Sequence, residues 1–439
     1  MNTELIMPQL PQNWVRERLD CVAEIVLGQS PPSSTYNDSG EGLPFYQGKL
    51  EFGKIFPTPK QWCSEPKKIA EKGDVLISVR APVGPTNINP EKSCIGRGLA
   101  AVRGLGGIET LFMLYSLRAN ENVLVGKGTG TTFSAISGEQ LRSLEISIPP
   151  LKEQYRLVSK IEELFSFLDA GIESLRKVQA QLKRYRQAVL KYAFEGKHSA
   201  NWVVCRLESC SNVITKGESP NWQGFDYVDD GIFFIRSENV LWGSVKLDNI
   251  VKVPQEFHIK LKRSQLNADD VLVNLVGASI GRCGIVPSFV ETANINQAVA
   301  LIRVNDFLLP EFLMHFLLSP RMQKEIHQNK VETARPNISL QNLRDLKIPL
   351  PSIDEQKKVV GLINETFAKL DTTVDYVKMG LQQSERLRQA ILKEAFEGQL
   401  VPQDPKDEPA ERLLERIKAE SLRNKTKNNN QLELSQYVK

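Results

Sequence analysis

The feature that most constrains this chain is that it repeats itself. IPPLKEQYRLVSKIEELFSFLD, from Ile148, matches LPSIDEQKKVVGLINETFAKLD, from Leu350, and the match runs without a gap to RQAVLKYAFEGK and RQAILKEAFEGQ. At a constant offset of 202, 20 of the 50 positions from 148 to 197 are identical to those from 350 to 399. A repeat of this size dictates architecture, so it precedes any assignment of elements. Weaker echoes lie upstream. Ser137, Leu141, Arg142 and Leu144 correspond to Ser339, Leu343, Arg344 and Leu346. GDVLISVRAPVG resembles DDVLVNLVGASIG, CIGRGLAAVR resembles NINQAVALIR with Arg103 facing Arg303, and Trp14 in NWVRERL matches Trp202 in NWVVCRL. The order is a globular unit, a shared segment, a second globular unit and the shared segment again, as duplication followed by divergence leaves it.

The shared segments have a helical period. Leu157, Ile161, Leu164, Leu168, Ile172, Leu175, Val178, Leu182, Tyr185, Val189 and Ala193 in the first, and Ile363, Phe367, Leu370, Val374, Val377, Leu381, Leu387, Ile391 and Ala395 in the second, recur at steps of three and four. That spacing lays them along one helical stripe. Pro150 and Pro351 block extension backwards, and Gly196 and Gly398 close the C-termini. About 45 residues at 1.5 Å each give a rod of roughly 65 Å, more than one small globule can cover. The stripe needs a partner helix. The second copy is the obvious mate and a copy on another chain the alternative; the residues leave the orientation of the pair open. Gly171 and Ser384 interrupt the match.

The regions 13–149 and 201–349 mix short β-rich runs (DVLISV, IFFIR, DVLVNLV, AVALIRV) with Gly and Pro turns and short helices such as ETLFMLYSL and PEFLMHFLL. That is an α+β pattern, and loops on such a scaffold are where recognition resides.

Catalytic machinery is missing from the sequence. GKLEFGKI, from Gly48, has phosphate-loop spacing, but Ile55 stands where Ser or Thr is required and Pro57 and Pro59 forbid the following helix. GKGTGTT, from Gly126, precedes no βαβ unit and is expected as a mobile connecting loop. SPPS and IPPL are the only Pro-Pro sites, so the tetrapeptide of an adenine amino-methyltransferase is absent. Four histidines, far apart, argue against a metal centre or a Ser-His-Asp set. Net charge is +4, which permits a nucleic-acid partner without requiring one. No apolar run approaches the ~18 residues of a membrane helix. MNTELIMPQLPQNW lacks the features of a signal peptide, so a cytoplasmic location without membrane is expected. The six cysteines are then expected as reduced thiols.

Two divergent units, each closed by SIPPLKEQ or PLPSIDEQ and by a long segment ending in AFEG, resemble the specificity subunit of type I restriction–modification enzymes. DEPAERLLERIKAE near the C-terminus is similar to the amphipathic ending of some members. The resemblance implies an α+β chain of two globular target recognition domains (1–150 and 201–350) separated by two long helices (151–200 and 351–400) that form an intramolecular antiparallel coiled coil with pseudo-twofold symmetry. Residues 401–439 would be an amphipathic extension and polar tail, its Asn-rich tip mobile. It also implies a non-catalytic subunit that binds double-stranded DNA, each domain reading half of a split asymmetric site. Its partners would be two modification (methyltransferase) subunits and restriction/translocase subunits. S-adenosylmethionine, ATP and Mg would be bound by those partners, with no cofactor or metal in this chain.

Base readout in the major groove uses Arg or Lys for guanine and Asn or Gln for adenine, while phosphates take Lys, Arg and hydroxyls. Candidates in or beside turns are Gln47, Lys49, Lys54, Lys60, Arg80 and Arg97 in the first domain. In the second they are Arg236, Asn239, Lys246, Lys260, Lys262, Arg263 and Arg282. Arg236 aligns with Gln47, so the halves differ where different bases could be read. A loop lysine is more often solvated surface, and Trp62 and Trp222 are expected to be packing residues. The rival reading is a structural coiled-coil scaffold whose lobes bind protein; it leaves unexplained why the lobes diverged while the rods stayed alike.

Overall fold

The computed structural model describes residues 9–128, 135–196, 201–288, 290, 292–328 and 337–437. The glycine-rich loop from Gly126 lies largely outside them. The chain forms two units, Met1–Ser174 with Gly380–Lys439, and Leu175–Met379.

In the first unit a four-stranded antiparallel sheet has the order Ala23–Leu27, Leu99–Gly104, Val75–Ser78, Thr86–Ile88. Beside it in sequence, five short strands form a second sheet in which Leu43–Tyr46 and Ser93–Ile95 run parallel, Tyr46 opposite Ile95. The second unit repeats the plan. Ser211–Lys216, Val299–Val304, Val271–Asn274 and Cys283–Ile285 form the four-stranded sheet, and Ile232–Ile235 runs parallel to Ala293–Ile295 with Ile235 opposite Ile295. A two-stranded ladder ties the start of each lobe to its end: Val15–Arg18 pairs with Glu145–Ile148, and Val203–Arg206 with Lys347–Leu350. The paired DVL and R signatures have one structural meaning. Arg103 Nε and Nη2 grip the buried Asp74 at 2.7 and 2.9 Å, and Arg303 grips the buried Asp270 at 2.8 and 2.7 Å. A buried carboxylate needs such a partner.

Both shared segments are single helices, Leu151–Glu195 and Ile353–Phe396. In the first unit Leu157, Ile161 and Phe165 share a core with Ile391, Ala395 and Phe396 and with the lobe helix Thr110–Ala119, where the Phe112 and Phe396 rings lie 5.4 Å apart. In the second, Leu190, Ala193 and Phe194 share a core with Val359 and Ile363, and Phe194 meets Phe312 of Pro310–Leu317 at 5.2 Å. Within each unit the start of one rod meets the end of the other, so the pairing is intramolecular and antiparallel. The Phe of each AFEG ending anchors a rod end on a lobe helix.

The Glu-Gln of each motif also has a reason. Gln154 Nε2 donates to Pro149 O at 3.1 Å, and Gln356 Nε2 donates to Pro351 O at 2.9 Å; both glutamines are fully buried. Each side chain clamps the motif proline onto the first helical turn, a local alternative to the hydrogen bonds a helix start lacks. Gln356 does more. It donates to Phe307 O at 2.8 Å and accepts from Leu309 N at 2.8 Å, tying the rod to the lobe.

The expected stripe is corrected at two positions. Tyr185 and Leu387 do not join the stripe; they are 55% and 49% exposed. Their neighbours Arg186 and Arg388 turn inward, each guanidinium stacked on a phenylalanine ring (Arg186 on Phe367 at 4.4 Å, Arg388 on Phe165 at 4.3 Å) and paired with Asp371 or Asp169. Planar guanidinium over an aromatic face is favourable, and the adjacent carboxylate neutralises it. Ser384, which interrupts the apolar stripe, sits in an unbroken helix with its Oγ donating back to Gly380 O at 2.8 Å. The C-terminal segment is a helix from Ala410 to Tyr437, helical through the Asn-rich stretch. Ala410, Leu413, Leu414 and Ile417 bury its first turns in the core of the first unit. The Cys205 and Cys210 sulfurs lie close to each other with Cα atoms 7.3 Å apart, wider than a disulfide spans; Cys21, Cys63, Cys94 and Cys283 are free. Among the described residues no helix is long and apolar enough to cross a membrane.

Candidate nucleic-acid interface

The first lobe gathers four of its six candidates. Gln47, Lys49, Arg80 and Arg97 line one shallow concavity with Ser30 and Ser78. Strand ends build it. Gln47 follows Leu43–Tyr46, and Lys49 opens a 3-10 turn, Lys49–Glu51, after which the phosphate-loop-like segment makes a tight turn bridged by Phe52 and Pro57 and no helix. Arg80 follows Val75–Ser78, its carbonyl accepting from Ser78 Oγ at 3.0 Å. Arg97 sits in a β-turn closed by Leu99 N–H on Gly96 O at 3.0 Å, and its own N–H donates to Ser30 Oγ at 3.3 Å. A Cβ at position 98 would stand 2.2 Å from Gln47 O, so only glycine lets the chain pass beside Gln47. Three cations and no acid face this concavity. The side chains of Arg80 and Arg97 are exposed and take no partner among the described residues. Unneutralised guanidiniums next to an amide suit polyanions and base edges alike. Lys54 is elsewhere, paired with Asp169. Hydrogen bonding from Lys54 and the charge of Arg388 outweigh burial and hold the Asp169 carboxyl below its ordinary value. Lys60 is exposed outside the concavity.

The second lobe is arranged differently. Arg236 follows Ile232–Ile235 and pairs with Glu238 in its own loop. Asn239 is buried: Oδ1 accepts from Arg236 N at 2.9 Å and Nδ2 donates to Lys246 O at 3.2 Å, so its amide staples a turn. Lys246 pairs with Asp248 at 3.0 Å and Arg263 with Glu218. Lys260 lies over the Phe225 ring at 5.5 Å, and Lys262 is exposed. Arg282 is half-buried with its Nε lacking a partner among the described residues, as does Nε of Arg236. Trp62 is half-buried, but Trp222 is 69% exposed in the short turn Pro220–Gln223 and is not a packing residue. One polar residue that the sequence reading passed over is brought to the same edge: Gln297 occupies the turn position that Arg97 holds in the first lobe. The signal was available in the alignment of NINQ with CIGR. Among the described residues no cluster of His, Cys, Asp and Glu could hold a metal ion.

Residues 11–184 and 200–383 match the family described as Type I restriction modification DNA specificity domain. The chain is 28% identical to the EcoBI specificity subunit of Escherichia coli over 93% of its own length and 92% of that protein's. It is 38% identical to the putative MjaX specificity subunit of Methanocaldococcus jannaschii over 43% of this chain and 44% of that one. Among solved structures, a chain from a study of complex assembly and conformational transition of the type I R-M system superposes with a TM-score of 0.70 at 21% identity, covering 89% of this chain and 99% of that one. The HsdS subunit from Thermoanaerobacter tengcongensis gives 0.53 at 19% identity, over 89% and 98%. These likenesses bear on the fold.

Proposed function

The chain belongs to the type I restriction–modification DNA specificity family, and from that membership we propose that it is the non-catalytic sequence-recognition subunit of such a complex. Each lobe reads one half of a split asymmetric site in double-stranded DNA. The paired rods set the gap between the halves and dock two modification subunits; restriction subunits join for cleavage. S-adenosylmethionine, ATP and Mg2+ are bound by those partners. One observation carries this reading. The lobes share a topology down to individual strand registers, yet the edge that carries Gln47, Lys49 and Arg80 in one carries Arg236, Glu238 and Val276 in the other. The rods meanwhile keep 20 of 50 residues. A frame held constant under two different polar edges suits two readers of different sequences.

The deciding experiment co-expresses the chain with its modification subunit and maps methylated sites on plasmid DNA. A two-part motif is expected, and exchange of residues 201–349 for the second lobe of a related subunit should alter one half only. Methylation by the isolated chain, or a swap that changes both halves, would refute the proposal. A four-residue insertion near Gln181 adds about 6 Å of helix and should lengthen the gap by one or two base pairs, each rising about 3.4 Å.

A further inference from the structure

The two lobes hold the same pair of side-chain chemistries at the same two backbone positions, in exchanged order. In the first lobe the parallel strands Leu43–Tyr46 and Ser93–Ile95 end side by side; Gln47 follows one, and Arg97, after Gly96, follows the other. In the second, Ile232–Ile235 is followed by Arg236, and Ala293–Ile295, after Asn296, by Gln297. Backbone hydrogen bonds fix the equivalence. Gly96 N–H donates to Tyr46 O at 2.8 Å, and Asn296 N–H to Ile235 O at 3.1 Å. Leu99 N–H closes one turn on Gly96 O at 3.0 Å, and Val299 N–H closes the other on Asn296 O at 3.2 Å. Val79 N–H reaches Gly98 O at 2.9 Å, and Leu275 N–H reaches Ala298 O at 2.8 Å. Gln47 and Arg97 therefore correspond to Arg236 and Gln297.

Arginine and glutamine can each grip a purine with two hydrogen bonds, arginine on guanine O6 and N7, glutamine on adenine N6 and N7. Here little else engages them. Arg97 is exposed without a side-chain partner, and Gln297 is half-exposed without one, among the described residues. Gln47 makes only a long 3.4 Å contact with Gln61. Arg236 leans on Glu238, whose side chain is 63% exposed, an ion pair that solvent already weakens and a base edge can displace.

We propose that these paired strand-end positions are the base-reading element of each lobe, and that Gln297 is a specificity-determining residue of the second. The inference rests on the reading of the chain as a DNA-recognition subunit. Arg97 and Arg236 would each select guanine, and Gln47 and Gln297 adenine. Exchanging the two chemistries between the positions makes the half-sites differ on an unchanged backbone.

The test uses the full chain co-expressed with its modification subunit, with methylated motifs mapped for wild type, Gln297→Ala, Arg97→Ala and Gln297→Arg. With Gln297→Ala, one position of one half-site should lose discrimination by about 5- to 140-fold, the equivalent of the ~1–3 kcal/mol of a bidentate base contact, with the other half unchanged. Arg97→Ala should do the same in the other half. Gln297→Arg should create a preference for guanine at the affected position, a gain that a folding defect cannot imitate. Unchanged motifs in both alanine variants would overturn the inference, as would a loss spread evenly over all sequences, the mark of phosphate contacts. A wild-type complex that methylates no two-part motif would overturn the functional reading, and this inference with it. A two-part wild-type motif that the variants leave intact overturns this inference alone.

Discussion

At the joint between lobe and rods, the Tyr115 ring of the first unit stands edge-on to Phe165 at 5.6 Å and its hydroxyl donates to Glu162. At the equivalent place in the second unit, His315 stands edge-on to Phe367 at 5.8 Å, with Nε2 2.9 Å from Asn364 Oδ1. Each phenylalanine carries an arginine of the other rod on its face, and each arginine pairs with an aspartate one turn further on. Phe, Asp and Arg are identical in both copies of the repeat, whereas the polar pair has changed from Tyr–Glu to His–Asn. The difference teaches which part of a joint is fixed by packing. A stacked aromatic–guanidinium layer tolerates no change of shape, but the hydrogen bond beside it needs only some donor and some acceptor. Burial lowers the affinity of His315 for a proton, while burial raises the pKa of Glu109, Glu121 and Glu153 in the first unit.

A second asymmetry lies where the C-terminal helix docks. Ile108 N–H bonds Leu105 O at 3.1 Å and Leu308 N–H bonds Asn305 O at 3.2 Å, so Gly106 and Asp306 are equivalent turn residues. A Cβ at Gly106 would lie 2.5 Å from Ile417, and its φ is +62°. Glycine admits the helix to the first lobe, and the equivalent turn residue of the second is the exposed Asp306. Making the lobes alike here should have the largest effect. Gly106→Asp is expected to undock the helix at a cost of about 3 kcal/mol, read as lost amide protection over residues 410–417 while the second unit stays protected.

Next come the motif glutamines. Gln356 makes three hydrogen bonds and Gln154 one that the structure defines, with Oε1 of Gln154 unpartnered among the described residues. Gln356→Ala strands a buried amide and two carbonyls and should cost about 3 kcal/mol, against about 1 kcal/mol for Gln154→Ala. Equal losses in denaturant titrations of the two variants would erase that contrast. The stacked arginines should follow at about 1 kcal/mol each for Arg186→Ala and Arg388→Ala, since both ion pairs are partly exposed. If the joints are equivalent, hydrogen exchange should show each variant loosening its own unit by a similar amount.

The smallest effect expected is pH-dependent. Above the ordinary histidine value of 6.5, His315 is neutral folded or unfolded. Below it the unfolded chain takes up a proton that the buried ring resists, so the second unit loses stability as pH falls toward the depressed folded value. Taken singly, Glu109, Glu121 and Glu153 act in the reverse sense, their folded forms protonating first, whereas Asp20 and Asp169 of the same unit, held low by Arg18 and by Lys54 and Arg388, lose their contribution in acid. His315→Tyr, the residue of the first lobe, should abolish the acid sensitivity of the second unit. A pH profile unchanged by this variant would assign the sensitivity to other groups.

The amino-acid sequence determined by itself that there are two lobes and two rods, because identities at a fixed offset and a three–four apolar period are properties of the chain. It located the rod ends at Pro150, Pro351, Gly196 and Gly398, since proline and glycine act on their own backbone. It also made Gln47 equivalent to Arg236. Only the tertiary structure decided where the apolar stripe gives way, at Tyr185 and Leu387. Tyr185 and Arg186 are about 100° apart on a helix, both at the edge of the stripe, and the choice fell to arginine because Phe367 and Asp371, far away in sequence, wait opposite it. For the same reason the antiparallel sense of the pair, the seat of the C-terminal helix on Gly106 and the turn-stapling role of Asn239 were not legible in advance. Gln297 lay in view as one glutamine among many. Its place beside Arg236 comes from a parallel strand pairing between segments some 60 residues apart, and long-range pairing leaves no mark in the local pattern that a sequence displays.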